Sequence, residues 1–236
     1  MNSLVTVFRD ELRMLLFLPI QPRIREYGWL YLLVGLLCAW AAGIGRYWDH
    51  PRAELWQRLG GGSVLYCFAL ALVLYLFMLP LRPRNWNYLN VLIFVSMTAP
   101  PALLYALPTE ILFNMEAAQR VNLYFLAIVS VWRVALLLRF LTRAAGLSIL
   151  ASIFGAFTPM LLILTVLSYF NAIPLVMQGM AGNSHLNDAR DDQATLLVAM
   201  LTFLAWYGAP LVLISYAFLV AHAWRPLKTP PPQESN

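Results

Sequence analysis

An apolar run from Arg120 to Arg143 constrains this chain more than any other feature, because it can cross a bilayer and holds an arginine well inside. About 20 apolar residues in a helix, each rising about 1.5 Å, match a hydrocarbon core of roughly 30 Å. An arginine at that depth must reach an interface or face other protein. The run therefore predicts a transmembrane helix, with the other apolar runs arranged around Arg133.

Composition extends this prediction to the whole chain. Of 236 residues, 61% are hydrophobic and 11% charged, whereas about a quarter are charged in a typical globular domain. The apolar runs predict an all-α polytopic bundle with six spans, and five is the rival count. One membrane domain covers residues 23–225, between an N-terminal segment (1–22) and a disordered tail (226–236). The predicted spans are Tyr27–Gly45, Gly62–Leu79, Tyr88–Leu107, Arg120–Arg143, Leu147–Phe170 and Thr195–Trp224.

Residues 3–18 predict an amphipathic helix before the first span. In a helical frame one face is apolar and the opposite face is polar. This pattern is typical of a helix that lies in the membrane interface, and an extended cytoplasmic lead-in is the alternative. The apolar face holds Val5, Phe8, Leu12 and Leu15, and the polar face holds Thr6, Arg9, Asp10 and Arg13.

The placement of arginine and lysine predicts the orientation. Positively charged loops stay in the cytoplasm, and a cytoplasmic N-terminus puts ten basic residues inside and five outside. We therefore expect both termini on the cytoplasmic side of the membrane. Despite a net charge of +5, the basic residues stand singly or in pairs at the ends of apolar runs, which does not indicate nucleic-acid binding. The inner set is Arg9, Arg13, Arg23, Arg25, Arg82, Arg84, Arg139, Arg143, Arg225 and Lys228, and the outer set is Arg46, Arg52, Arg58, Arg120 and Arg190.

Arg133 is the first candidate for a binding role, together with Ser130 one turn away. The planar guanidinium suits an anion or a lipid phosphate. Alternatively, Arg133 bonds to carbonyl groups that a proline-broken neighbouring helix leaves free, such as the helix with Pro100 and Pro101. Kinked spans can flank a ligand site, and the other prolines inside predicted spans are Pro159 and Pro210.

Small residues recur every four positions in two of the predicted spans. Such stripes let helix backbones approach closely. We expect helix packing at Gly35, Ala39 and Gly43 in the first span, and at Ser148, Ser152 and Ala156 in the fifth.

Acidic and histidine side chains cluster in two predicted outer loops. These residue types can bind metal, but their spacing matches no helix-borne ligand pair such as HExxH. A solvated acidic loop explains them equally well, so we expect no cofactor and no metal. The weak metal candidates are Asp49, His50, Glu54, His185 and Asp188.

Three stretches, RYWDHPRAELWQRLGGG, PRNWNYLNVL and SVWRVALLLRFL, resemble uncharacterised bacterial inner-membrane proteins of about this length. The layout of the spans is also similar to that of Yip1-type membrane proteins, which have a cytoplasmic N-terminus and a bundle of about five helices. This resemblance implies a membrane adaptor or organiser without catalysis. It assigns no functional residues.

The sequence therefore predicts a non-catalytic membrane scaffold, adaptor or accessory subunit. Its expected partners are membrane lipids, other membrane proteins or further copies of itself. One alternative is a small transporter or lipid translocator, in which Arg133 meets an anionic group between kinked helices. A second is a membrane-embedded, metal-dependent hydrolase that uses the outer aspartates and histidines.

Overall fold

The computed structural model describes residues 2–19, 23–47, 55–107, 109, 113–173 and 192–225, and every regular element in these ranges is helical. The predicted all-α class is therefore confirmed for this part of the chain. Two 3-10 turns, Leu79–Leu81 and Pro100–Ala106, and one π turn, Leu204–Gly208, lie between α-helices of the described ranges. The helices are α1 (Asn2–Leu15), α2 (Ile24–Tyr47), α3 (Leu55–Arg58), α4 (Gly61–Met78), α5 (Tyr88–Met97), α6 (Met115–Arg143), α7 (Ile149–Tyr169), α8 (Asp192–Phe203) and α9 (Ala209–Ala223).

Five helical stretches in the described ranges are long and apolar enough to cross a membrane. They overlap five of the six predicted spans. The other predicted span, Tyr88–Leu107, contains only a shorter apolar helix, because α5 stops at Met97. The five stretches are Ile24–Gly45, Gly61–Leu81, Arg120–Arg143, Ile149–Tyr169 and Val198–Ala223.

The short helix α5 lies in the interior of the bundle. Every residue from Val91 to Met97 is buried, whereas a helix on the outside of a protein buries one face. The helix begins at Asn87, whose side chain accepts a hydrogen bond from the Asn90 N–H at 2.8 Å. It ends just before Pro100 and Pro101, since proline has no N–H to continue the ladder. The chain thus breaks where the two prolines predict a break.

Close contacts bring helix ends together at both ends of the bundle. At one end, a methyl group on Gly45 would lie 2.2 Å from the Ala106 Cβ, so the turn after α5 finishes beside the end of α2. At the other end, the Trp224 indole donates to the Pro80 carbonyl at 3.0 Å, next to the end of α4. The segment from α5 to Ala106 therefore runs from the end of α4 to the end of α2.

Helices α7 and α9 each accommodate a proline. Pro159 lies inside α7, and Pro210 is near the start of α9, directly after the π turn. The Thr165 hydroxyl donates to the Leu161 carbonyl at 2.7 Å and lies 3.3 Å from the Ala205 carbonyl in the π turn. Side-chain hydroxyls of this kind satisfy backbone groups that an irregular helix leaves free.

Candidate functional site

The half-buried Arg133 side chain contacts the break after α5. Its Nε donates to the Thr98 carbonyl at 2.9 Å. Thr98 caps the end of α5, and its own hydroxyl donates to the Val95 carbonyl at 2.7 Å. This is the contact expected if Arg133 satisfies a carbonyl of a proline-broken helix. An anion-binding role for Arg133 stays a prediction.

Two acidic side chains of α1 are buried against the bundle. Asp10 is 8% exposed and Glu11 is 4% exposed. The Tyr31 hydroxyl, from α2, donates to Asp10 Oδ2 at 2.7 Å. The polar face predicted for α1 is therefore divided, because Asp10 is buried against α2 while Arg9 and Arg13 are exposed.

Glu11 differs from Asp10 because it lacks a complete set of partners. Its Oε1 is buried and has no hydrogen-bond partner among the described residues. A buried carboxylate loses its hydration, which disfavours the charged form. This burial raises the pKa of Glu11 to about 7.

The outward surface of α1 combines an apolar face with two exposed arginines, Arg9 and Arg13. Its exposed large side chains include Leu4, Val5, Phe8 and Leu12. The side of α1 that packs against the bundle holds the apolar Val7 and Met14 as well as Asp10 and Glu11. An exposed apolar face beside two exposed arginines suits a helix at a boundary between lipid and water.

Helix α6 anchors the end of α1. The Trp132 indole donates to the Leu15 carbonyl at 2.9 Å. The Arg139 guanidinium donates to the carbonyl groups of Phe17 and Leu18, the latter at 2.9 Å. Sequence reasoning missed these contacts. The only signal for them is the aromatic and basic content of the last half of α6.

The small residues of α2 lie at close helix contacts. A methyl group added at Gly35 would lie 2.4 Å from the carbonyl carbon of Ser96 in α5. One added at Gly43 would lie 2.6 Å from Ser63 Oγ in α4, and Ala39 is buried between them. Gly35 therefore lets the backbones of α2 and α5 touch.

The second set of small residues lies at the start of α7. The Ser148 hydroxyl caps the helix by accepting from the Ala151 N–H at 3.2 Å. Ser152 and Ala156 are fully buried. The neighbouring Gly155 leaves room for the Met78 sulfur of α4, which an added methyl group would approach to 2.9 Å.

The remaining ligand candidates do not gather into one site with Arg133. Ser130 is exposed on α6, so it does not line a buried polar seam. Pro159 is buried in α7 and Pro210 is exposed on α9, whereas Arg133 bonds to the end of α5.

All five metal candidates, Asp49, His50, Glu54, His185 and Asp188, lie outside the described residues. Within the part of the chain that is described, no group of three or more histidine, cysteine or acidic residues could hold a metal ion.

A shallow groove marks the outer surface of the last predicted span. Ala199, Thr202, Phe203, Trp206 and Tyr207 line it. Trp206 is held in place because its indole donates to Ser168 Oγ of α7 at 3.0 Å. The Phe203 and Tyr207 rings pack together with centroids 4.6 Å apart. The groove therefore has ordered aromatic walls.

Comparisons with protein-family models, curated proteins and solved structures find no match to this chain. They lend no support to the resemblance to Yip1-type proteins. What the structure defines is an all-helical protein with several helices apolar enough to cross a membrane.

Proposed function

We propose that this chain is a non-catalytic, multi-pass component of a bacterial inner membrane that binds another membrane protein through its last span. The observation that carries the proposal is the uneven burial of the apolar helices. The first is 44% buried over its most apolar window, whereas Val198–Ala223 is 11% buried. The partner is a transmembrane helix of a different protein.

Helix contacts and basic residues together support a six-span topology. The segment from α5 to Ala106 connects the two ends of the bundle, as a sixth crossing would. At about 1.5 Å per residue for ten residues of α-helix and about 2.0 Å for seven residues of 3-10 turn, its length approaches the thickness of a hydrocarbon core. Six crossings put both termini on the cytoplasmic side, in agreement with the basic residues. Helix α1 then lies at the cytoplasmic interface, with its apolar outer face in lipid.

The groove on the last span favours a protein partner. Helix association in lipid depends on packing and interhelical hydrogen bonds, since lipid chains are as apolar as the side chains they contact. Thr202 and Tyr207 supply hydroxyl groups beside the ordered Phe203 and Trp206 rings. A partner helix that fills this groove gains both kinds of contact.

Site-specific photo-crosslinking in intact bacterial cells tests this proposal. A photoreactive residue replaces Met200, which is 61% exposed on the last span, or Leu37, which is 51% exposed on α2. We expect the probe at Met200 to yield one discrete crosslinked band that mass spectrometry assigns to a second membrane protein. The probe at Leu37 serves as the matched control in a lipid-facing position.

A groove variant sharpens the result. Phe203→Ala with Tyr207→Ala should remove the band from the Met200 probe while the protein keeps its elution volume in detergent. A protein that stays uncrosslinked at both positions contradicts the proposal, and so does equal crosslinking at Leu37. A band that contains two copies of this chain replaces the proposed partner with self-association.

A further inference from the structure

Four arginines converge at the end of the bundle where α4, α6 and α9 finish. All four are exposed, and three separate segments of the chain contribute them. We call this set the arginine corner: Arg82, Arg84, Arg143 and Arg225.

Contacts between these segments hold the arginine corner together. The Arg82 guanidinium carbon lies 3.6 Å from the centre of the Trp224 ring, next to Arg225. The Arg84 N–H donates to the Ala145 carbonyl at 2.8 Å, two residues after Arg143. Arg82 adopts a left-handed conformation with φ of 52°, which turns the chain after α4 toward these partners. The convergence is therefore a product of tertiary structure.

The arginine corner carries positive charge that no acid offsets in the described ranges. The ion pairs in the described ranges join Arg9 to Asp10 and Arg23 to Glu26, and neither involves an arginine of the arginine corner. Like charges held close together repel unless an anion lies between them. Arginine is well suited to such an anion, because its fork matches the oxygens of a phosphate.

Apolar side chains next to the arginine corner indicate what kind of anion it binds. Leu79 is 48% exposed, Ile149 is 69% exposed and Leu150 is 60% exposed. They lie at the ends of two membrane helices, Leu79 three positions before Arg82 and the other two within seven positions after Arg143. A free anion gains nothing from these side chains, whereas a phospholipid has acyl chains to place against them.

We propose that the arginine corner binds the phosphate headgroup of an anionic phospholipid, whose acyl chains lie along Leu79, Ile149 and Leu150. Basic pockets between transmembrane helices bind such headgroups on the cytoplasmic side of membranes. This site lies apart from the groove on the last span. It requires that the helices cross a bilayer but not that the last span has a protein partner, so either proposal can fail alone.

Lipid titration of the purified, delipidated protein tests the site. Native mass spectrometry measures the occupancy of phosphatidylglycerol and of phosphatidylcholine on the same preparation. We expect the protein to prefer phosphatidylglycerol, and Arg84→Gln with Arg143→Gln to bind it about tenfold more weakly. The control, Arg13→Gln with Arg25→Gln, removes two exposed arginines elsewhere and should bind like the original protein.

Two further measurements keep the test decisive if the glutamine variant does not fold. Arg84→Lys with Arg143→Lys keeps the charge and should retain most of the phosphatidylglycerol preference. In the unmodified protein, added sodium chloride should release phosphatidylglycerol but not phosphatidylcholine.

Three results would overturn the proposal. The first is no preference for phosphatidylglycerol, or a preference that salt leaves unchanged. The second is an equal loss of binding in the control variant, which would mean that overall charge, and not this site, attracts the lipid. The third is displacement of phosphatidylglycerol by an equal concentration of inorganic phosphate, which would identify a site for free anions.

Discussion

The first and last apolar helices have nearly equal mean hydropathy but pack very differently. The most apolar window of the first is 44% buried, and that of the last is 11% buried. The first helix places Gly35 against the backbone of α5, whereas the last places large side chains such as Ile214 and Phe218 on its surface. Apolar length thus takes a helix into the membrane, but small residues decide whether it joins the packed interior.

Gly35→Ala should produce the largest loss of stability, about 3 kcal/mol. The new methyl group would lie 2.4 Å from the Ser96 carbonyl carbon, so α2 and α5 would have to separate. Denaturation in mixed detergent micelles measures the free energy of unfolding. Gly28→Ala is the matched control in the same helix, because its methyl group would meet Ile24 at an ordinary 3.4 Å. Equal stability of the two variants would show that α2 is not held by backbone contact.

Replacing isoleucine by alanine in the buried helix α5 and on the exposed last span should give the next largest difference in the free energy of unfolding. Ile93 of α5 is 2% exposed and Ile214 of α9 is 70% exposed. We expect Ile93→Ala to cost about 2 kcal/mol, because it leaves a cavity. Ile214→Ala should change the free energy of unfolding by less than about 0.5 kcal/mol, since the side chain packs against little of the protein. Denaturation of both variants in one detergent checks the contrast, and a comparable loss at Ile214 would place that side chain in a folded interface.

Arg133→Leu should cost about 1.5 kcal/mol, because the Thr98 carbonyl loses its donor at the break after α5. The same denaturation assay measures the loss. Ser130→Leu, at an exposed position one turn earlier on α6, is the control and should be nearly neutral. If Arg133→Leu were as stable as the original protein, the Thr98 contact would not stabilise the fold, and an anion at Arg133 would become the better explanation of a charge at that depth.

Local chemistry explains which parts of this fold are predictable from sequence. The long apolar runs and the break at Pro100 and Pro101 depend on helix length and on the missing proline N–H, so both can be recognised without tertiary information. For Arg133 the sequence leaves two alternatives open, a carbonyl freed by a proline-broken helix or an anion, and it does not single out Thr98. Nothing in the sequence pattern says which group a half-buried arginine meets.

The orientation of α1 could not be predicted for a different reason. An amphipathic pattern identifies two faces but not which one meets the protein. Tyr31 turns the Asp10 carboxylate inward by donating to it from 21 positions along the chain. The arginine corner is similar, because basic residues at helix ends are visible in the sequence while their convergence depends on the Trp224 and Ala145 contacts.

The smallest expected effect is that of pH on the docking of α1 against α2 and α6. The pKa of Glu11 is about 7 when buried and has an ordinary value of 4.5. Docked α1 therefore holds a proton more tightly than undocked α1, and docking weakens as the pH rises from about 4.5 to about 7. Between pH 6 and pH 8 the loss should be roughly 1 kcal/mol.

Hydrogen–deuterium exchange of the α1 amides, corrected for the intrinsic effect of pH on exchange, measures this docking. The original protein should exchange faster at pH 8 than at pH 6 by up to about fivefold, whereas Glu11→Gln should show no such difference because glutamine stays neutral. Asp10 and its bond to Tyr31 remain in both proteins, so they serve as an internal control. If the glutamine variant kept the same pH dependence, Glu11 would not be the group responsible for it. The close packing of α2, which contrasts with the exposed last span, would then be unaffected, but the burial of Glu11 would not control how α1 docks.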